Sequence, residues 1–213
     1  MDADAVEIRV LGCLIEKQRT TPDVYPLTLN GLRAACNQST NRDPVVSYDE
    51  ETVRDGIRGL SQRGWARLAS GPGSRATKYR HLLDDALQVN GAELSVLCVL
   101  MLRGAQTPGE LKGRTDRMHP FASLGEVHET LEGLISRELV ARLPRRPGQK
   151  EERYIQLLGG DGAEVGEEAA TTVPQQPPSA DLEARLSRLE NEVATLRQAV
   201  ESLTQTEPPP TDL

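Results

Sequence analysis

The residue types that most often carry catalysis are sparse in this chain of 213 residues, and their spacing does not favour an active site. No histidine is paired with cysteines at metal-ligand spacing, and the Gly-x-Ser-x-Gly and His-Glu-x-x-His patterns are missing. Segment 71–74 lacks the Gly-Lys-Ser/Thr ending of a phosphate-binding loop. We therefore predict a non-enzyme without cofactor or metal. The residues considered for catalysis or metal binding are His81, His119, His128, Cys13, Cys36 and Cys98. We expect the three cysteines to be buried thiols in a protein of a reducing compartment.

Basic side chains offer a different chemistry, the neutralisation of nucleic-acid phosphates. Arg54 and Arg58 stand one helical turn apart, off the apolar face of their segment, and further basic residues follow in two Gly/Pro-containing turns. The competing interpretation is ordinary solvated charge, which the acidic residues at 49–51 and 55 favour. The candidate DNA-binding residues are Arg54, Arg58, Arg75, Lys78, Arg80, Arg145, Arg146 and Lys150.

The net charge of −7 is distributed unevenly along the chain. Residues 1–82 carry a net +2, residues 83–158 a net −1 and residues 159–213 a net −8. The acidity therefore belongs to the C-terminal tail, and a nearly neutral folded part remains compatible with nucleic acid. The N-terminus lacks a signal-peptide pattern and no apolar run is long enough to cross a bilayer, so we expect a cytoplasmic protein without membrane contact.

An internal repeat predicts the architecture. The run Val10–Leu14 matches Val96–Leu100 at a shift of 86, and the match continues through Thr21-Pro22 with Thr107-Pro108. Later positions match at shifts of 74 and 75, so the first copy carries about 12 extra residues in its middle.

Each copy has the order helix, helix, helix, strand, wing, strand. Apolar residues at helical spacing mark three helices, and two short strand-like runs flank a turn rich in Gly and Pro. This order predicts a mainly α fold with small β-wings, an α+β class made of two tandem winged helix-turn-helix domains. We expect domain 1 at 1–84 and domain 2 at 85–158.

The second copy is expected to bind DNA less well than the first. Its third helix presents Glu126, Glu129 and Glu132 where phosphates would approach. Its wing is basic, although Glu151 and Glu152 interrupt it, and a solvated wing explains it equally well.

Two further groups have a structural and a functional interpretation. The polar loop 37–44 offers amides and one guanidinium to base edges or to a peptide, but turn chemistry explains the same residues better. Trp65, Tyr79 and Tyr154 occupy strand positions, where core packing is a better explanation than base stacking.

The C-terminal tail divides into three predicted parts. Residues 159–180 are poor in apolar side chains and predict a disordered acidic linker, and residues 205–213 predict a disordered end. Residues 181–204 form an apolar seam that predicts a parallel dimeric coiled coil, with a solitary helix folded on the body as the alternative. The seam consists of Leu182, Leu186, Leu189, Val193, Leu196, Val200 and Leu203.

Several long motifs resemble the bacterial YceH family of uncharacterised proteins. They occupy 11–18 (LGCLIEKQ), 21–27 (TPDVYPL), 35–45 and 102–111 (LRGAQTPGEL). The resemblance covers about residues 5–158 and leaves the linker and coiled coil outside it. It implies a tandem winged-helix fold and no established reaction, ligand or DNA site.

Two function classes follow from these observations. The first is a non-enzymatic, homodimeric protein that binds double-stranded DNA, such as a transcriptional regulator, in which the first domain contacts DNA and the coiled coil doubles the sites. The alternative is an adaptor that binds a protein partner through its winged helices without binding DNA. The acidic helix of the second copy would then be the docking face.

Overall fold

The computed structural model describes residues 3–70, 76–145 and 151–159. All of them belong to one compact unit, Met1–Glu167. Of the predicted linker, only Gly159 is described, and it forms a β-bridge with Ala3. The rest of the linker and the predicted coiled coil, with its seam from Leu182 to Leu203, lie outside the described residues. The boundaries expected at 84 and 158 stay predictions.

The first copy contains the three expected helices and a small sheet. Its helices are α1 (Ala5–Thr20), α2 (Leu29–Cys36) and α3 (Glu50–Gln62), and its strands are β1 (Leu27–Thr28), β2 (Ala66–Leu68) and β3 (Lys78–His81). The strands form an antiparallel sheet of order β1-β3-β2. The dipeptide strand β1, a 3-10 turn at Pro22–Val24 and the short helix α4 (Leu83–Leu87) add to the expected order.

The second copy repeats this arrangement. Its elements are α5 (Gly91–Arg103), α6 (Pro108–Thr115), α7 (Leu124–Ser136), β4 (Val140–Leu143) and β5 (Arg153–Gln156). The antiparallel pair of β4 with β5 is completed by a single bridge between Gln106 and Tyr154, which takes the place that β1 holds in the first sheet. The fold is therefore the expected α+β winged-helix type, present twice.

Equivalent hydrogen bonds join each third helix to its sheet. The amide of Trp65 donates to Leu60 O at 2.9 Å, and the amide of Leu139 donates to Leu134 O at 3.0 Å. The next bond, from the amide of Leu82 to Trp65 O at 2.7 Å, has its counterpart between Leu157 and Leu139 O at 2.9 Å. The two copies thus share backbone geometry as well as sequence pattern.

One part of the expected alignment between the copies is wrong. Thr107 caps α6 and Pro108 is its first residue, whereas Thr21 and Pro22 open the 3-10 turn after α1. The residue that caps α2 is Thr28, whose hydroxyl accepts from the amide of Gly31 at 3.1 Å. A cap hydroxyl before an apolar helix is a stronger positional marker than a Thr-Pro pair, because the cap satisfies a helix amide that has no other partner. The extra residues therefore lie on both sides of α2.

The core forms around α1 and α5. Each has nine consecutive buried residues, Glu7–Ile15 and Leu94–Leu102, so neither helix presents a solvated face over that length. They make the most extensive helix contact in the described part of the chain. Helices buried all round lie at the centre of a fold, since each must be covered on one side by its own copy and on the other by the second.

Candidate nucleic-acid interface

Helix α3 is the element that a winged-helix protein offers to the major groove. Asp49 caps it by accepting from the amide of Thr52 at 2.8 Å, and Val53, Ile57 and Leu60 bury its inner face. Arg54 and Arg58 lie on the outer face with side chains 48% and 62% exposed. Their predicted placement off the apolar face is therefore correct.

Both arginines are paired with acids on the same helix. Arg54 bonds Glu50 one turn earlier, and Arg58 Nη1 lies 2.9 Å from Asp55 Oδ1. Exposed pairs of this kind are worth only about 0.2–1 kcal/mol, so a phosphate can replace the carboxylate at small cost. The helix surface is nevertheless close to neutral, which weakens long-range attraction of DNA.

A more basic surface lies on the outer face of the first sheet. The register of β2 with β3 sets Arg67 opposite Arg80, and Lys78 lies two residues before Arg80 on the same side of β3. Like charges directly opposite each other destabilise a sheet unless an anion or solvent separates them. We name Arg67, Lys78 and Arg80 the sheet cluster.

No carboxylate forms an ion pair with the sheet cluster within residues 3–70, 76–145 and 151–159. Arg80 Nε is buried and has no hydrogen-bond partner in that part of the chain. Arg67 was missed at the sequence level because its importance comes from the strand opposite it. The available sequence signal was the alternation of apolar and polar residues along 66–68, which places Arg67 on the outer face of a strand. Arg75, expected at the wing tip, lies outside the described residues.

The inner face of this sheet is held by a buried histidine. His81 Nε2 lies 2.6 Å from Gln18 Oε1, and Nδ1 accepts from the amide of Leu83 at 3.3 Å, so a neutral ring satisfies both atoms. The hydroxyl of Tyr25 accepts from the His81 amide at 2.8 Å. Burial lowers the pKa of His81 to about 4 and raises the pKa of Tyr25 to about 12. Both side chains therefore position β3 as neutral groups.

The basic residues of the second wing are paired with acids. Arg142 bonds Glu132 on α7 and lies 3.5 Å from Glu152, and Arg145 lies 3.7 Å from the same Glu152. Arg153 is 3.6 Å from Glu110. Arg146 and Lys150, two of the candidates, lie outside the described residues. The visible part of this wing therefore has less unpaired positive charge than the first sheet.

The polar loop 37–44 is a structural element. Arg42 is buried, and its guanidinium donates to both carboxylate oxygens of Glu16, at 3.0 and 2.6 Å, and to Ala35 O at 3.1 Å. The side-chain amide of Asn37 forms two hydrogen bonds of 2.8 Å with the backbone of Tyr48, donating to its carbonyl oxygen and accepting from its amide. The guanidinium of Arg42 is occupied by these contacts within the fold and is not free to bind a base edge. The interpretation of loop 37–44 as a structural turn is therefore correct.

The remaining candidates also belong to the core. Cys13, Cys36 and Cys98 are buried free thiols. Trp65 and Tyr154 are buried, and Tyr79 packs against the core. Within the described ranges, no group of three or more His, Cys, Asp or Glu is placed to hold a metal ion, and no helix is long and apolar enough to cross a membrane.

Comparison with known proteins places this arrangement in a family. Residues 3–149 match the profile of a family described as a protein of unknown function, DUF480. The UPF0502 protein YceH of Salmonella paratyphi A is 47% identical over 206 residues, which cover 93% of this chain and 94% of that protein. The chain belongs to the DUF480 family. The YceH protein of Salmonella typhimurium is 46% identical over the same shares.

The similarity to YceH reaches further than the motifs indicated. A match to 93% of the chain extends beyond residues 5–158, so part of the C-terminal tail is shared with these relatives. The tail was expected to lie outside the resemblance, and that expectation is wrong.

Solved structures similar to this DUF480 protein include MarR from E. coli. The wild-type apo form is 26% identical and covers 56% of this chain and 82% of MarR, with a TM-score of 0.31. A MarR mutant complexed with operator DNA has a TM-score of 0.30. Because these scores are low, the winged-helix description depends on the elements and hydrogen bonds given above.

Proposed function

We propose that this DUF480 protein is a non-enzymatic DNA-binding regulator whose first winged helix contacts duplex DNA. The sheet cluster is the observation that carries the proposal. Arg67, Lys78 and Arg80 lie on two adjacent strands without an acidic partner in the described part of the chain. When such cations bind DNA phosphates, the counterions condensed on the DNA are released, and this release gives affinity without sequence preference.

Helix α3 would supply the contacts to base edges. Arg54 and Arg58 are exposed and long enough to reach guanine edges once they leave Glu50 and Asp55. The sheet cluster would then hold the backbone while α3 reads the groove. This division between positioning and reading contacts is usual in DNA-binding proteins.

The proposed dimer would double these contacts through the coiled coil at 181–204. Two sites on one scaffold raise the effective local concentration of the second site, so modest single-site affinity suffices. The predicted acidic linker would allow a range of distances between the winged-helix parts of the two subunits.

The test is binding of the full chain to a labelled duplex by fluorescence anisotropy from about 50 to 300 mM salt. We expect log affinity to fall linearly with log salt. Arg67→Gln with Lys78→Gln and Arg80→Gln should reduce the slope by about 3, near one unit per phosphate contact. The matched control is Arg142→Gln with Arg145→Gln and Arg153→Gln on the second wing, where we expect a smaller change. Absence of binding at the lowest salt concentration would refute the proposal.

An adaptor is the second candidate function, and helix α7 favours it. Leu124 is 47% exposed at the start of the helix, and Glu129 and Glu132 are exposed along it. An acidic helix with an exposed leucine suits a basic protein partner better than DNA. A partner recovered with nuclease present, and lost with Leu124→Asp, would support this function.

A further inference from the structure

A pocket of about 260 Å³ lies where the two copies meet. Its wall comes from the start of α1, the loop before α3, the second half of α5 and the end of β5. Most of this wall is apolar, including Ile8, Met101 and Ile155. The amide of Ala3 donates to Leu158 O at 3.1 Å and ties the two copies together beside the pocket.

Arg9 is the charged group in this wall whose hydrogen-bonding capacity is only partly used within the described residues. It is 4% exposed, and its Nη2 donates to Pro44 O at 2.6 Å. Its Nη1 is buried and has no hydrogen-bond partner, and no carboxylate pairs with Arg9, within the described residues. A guanidinium stays protonated, so the fold buries a positive charge with an unsatisfied donor. Such a group is expensive unless an anion meets it.

Two neutral donors stand with Arg9 in the pocket wall. Burial raises the pKa of Tyr48, so its phenol keeps its proton. Gln156 Oε1 accepts from the amides of Leu158 and Gly159 at 2.7 and 3.2 Å, which leaves its amide nitrogen as the group able to donate. The wall thus combines one cation and two hydrogen-bond donors with an apolar surface.

We propose that this pocket binds a small monocarboxylic acid, with its carboxylate on Arg9 and its apolar part against Ile8, Met101 and Ile155. Arginine and carboxylate form charge-assisted hydrogen bonds, the strong kind in a buried setting. An apolar cavity of about 150 Å³ accepts benzene, so the volume here suits an acid with a six-carbon chain or a single ring.

The charge balance selects a monoanion. Asp43 also lines the pocket, with an exposed side chain, and would repel a second negative charge. A phosphate or dicarboxylate would therefore bind more weakly than a monocarboxylate. Pro44 and Tyr48 belong to the loop that ends at Asp49, the cap of α3. An effect of the acid on DNA affinity would rest on the proposed function, whereas binding of the acid does not.

The test is calorimetric titration of the full chain with hexanoate and with phenylacetate, using hexanamide and phenylacetamide as uncharged controls. We expect both acids to bind saturably and at least tenfold more tightly than their amides. Arg9→Met should weaken acid binding at least tenfold. Methionine fills a similar volume and removes a buried charge, a change that proteins tolerate well. Arg19→Met, on an exposed position of the same helix, should leave acid binding unchanged.

A second variant leaves Arg9 in place. Ala5 is an exposed residue at the pocket rim, so Ala5→Phe should keep the fold and obstruct entry, with at least a tenfold loss of acid affinity. No saturable binding of either acid at about 10 mM, equal affinity for acids and amides, or unchanged binding in Arg9→Met would overturn the proposal. The duplex-binding assay is independent of each of these results.

Discussion

The thiol of Cys98 donates to the backbone oxygen of Gly12 across 3.4 Å, and the two residues are 86 positions apart. That separation equals the shift at which the first helices of the two copies match in sequence. Equivalent positions of α1 and α5 therefore touch each other. Contact between equivalent positions is the property of a two-fold arrangement, so the copies associate as the subunits of a symmetric dimer do.

Gly12→Ala should destabilise the protein by about 1–3 kcal/mol. A Cβ atom at Gly12 would lie 2.9 Å from Leu102 Cγ and 3.2 Å from Met101 Cβ, and both neighbours are buried. Urea unfolding followed by circular dichroism measures the change. Gly113→Ala is the matched control, because its Cβ would meet nothing within 4 Å and alanine favours the helix. Equal free energies of unfolding for the two variants would mean that α1 and α5 can move apart around the added Cβ atom without a loss of stability.

Glu16→Gln should lower the free energy of unfolding by about 3 kcal/mol. It should also expose the loop 37–44 to proteolysis. Arg42 has a fully buried side chain, and removing one partner of a buried pair leaves the other charge uncompensated. Burial raises the pKa of Glu16, but Arg42 and Lys17 outweigh it and hold the pKa below its ordinary value. Combining Glu16→Gln with Arg42→Met should recover part of the loss in a double-mutant cycle. Additive losses would contradict a direct pair.

Acid should weaken the fold through His81. Its pKa is about 4 in the folded protein and 6.5 without burial, so the unfolded chain takes up a proton first as pH falls. Stability is then full above pH 6.5 and declines towards pH 4, by about 3 kcal/mol from this residue. His81→Gln cannot titrate, so its urea midpoint should change less between about pH 7 and pH 4.5 than that of the wild type. Parallel pH profiles would assign the acid sensitivity to other groups.

Two substitutions in the predicted seam should convert a dimer to a monomer. Val193→Asp with Leu196→Asp places charges at an a and a d position, where a coiled coil requires apolar side chains. Sedimentation equilibrium should give twice the 23.3 kDa chain mass for the wild type and one chain mass for the variant. Thr195→Asp, at an outward position between them, is the control. A monomeric wild type would favour the solitary-helix alternative.

Local pattern was enough to predict most elements in the described part of the chain. Val53, Ile57 and Leu60 mark the buried face of α3, and Ser123 caps α7 as its sequence indicated. These features depend on periodicity and on nearest neighbours, which a sequence displays directly. Strand β1 was missed because two residues are too short to show alternation, and its existence depends on Tyr79 and Lys78 as partners.

The candidate sites depended much more on distant contacts. Arg42 looked available in the sequence until the fold placed Glu16 beside it, and Arg67 looked ordinary until β3 placed Arg80 opposite. Arg9 gave no signal at all, because a single arginine in an apolar helix pattern is normally expected to reach solvent.

The sequence by itself determined that one winged-helix pattern occurs twice, because helical period, caps and turns are local properties. Only the tertiary structure decided how the copies meet and which charges are left over. Both depend on contacts such as Cys98 with Gly12 and on the pocket beside Arg9, which join residues far apart in the chain. Side-chain type fixes what a residue can do, but burial and neighbours decide whether it is free to do it.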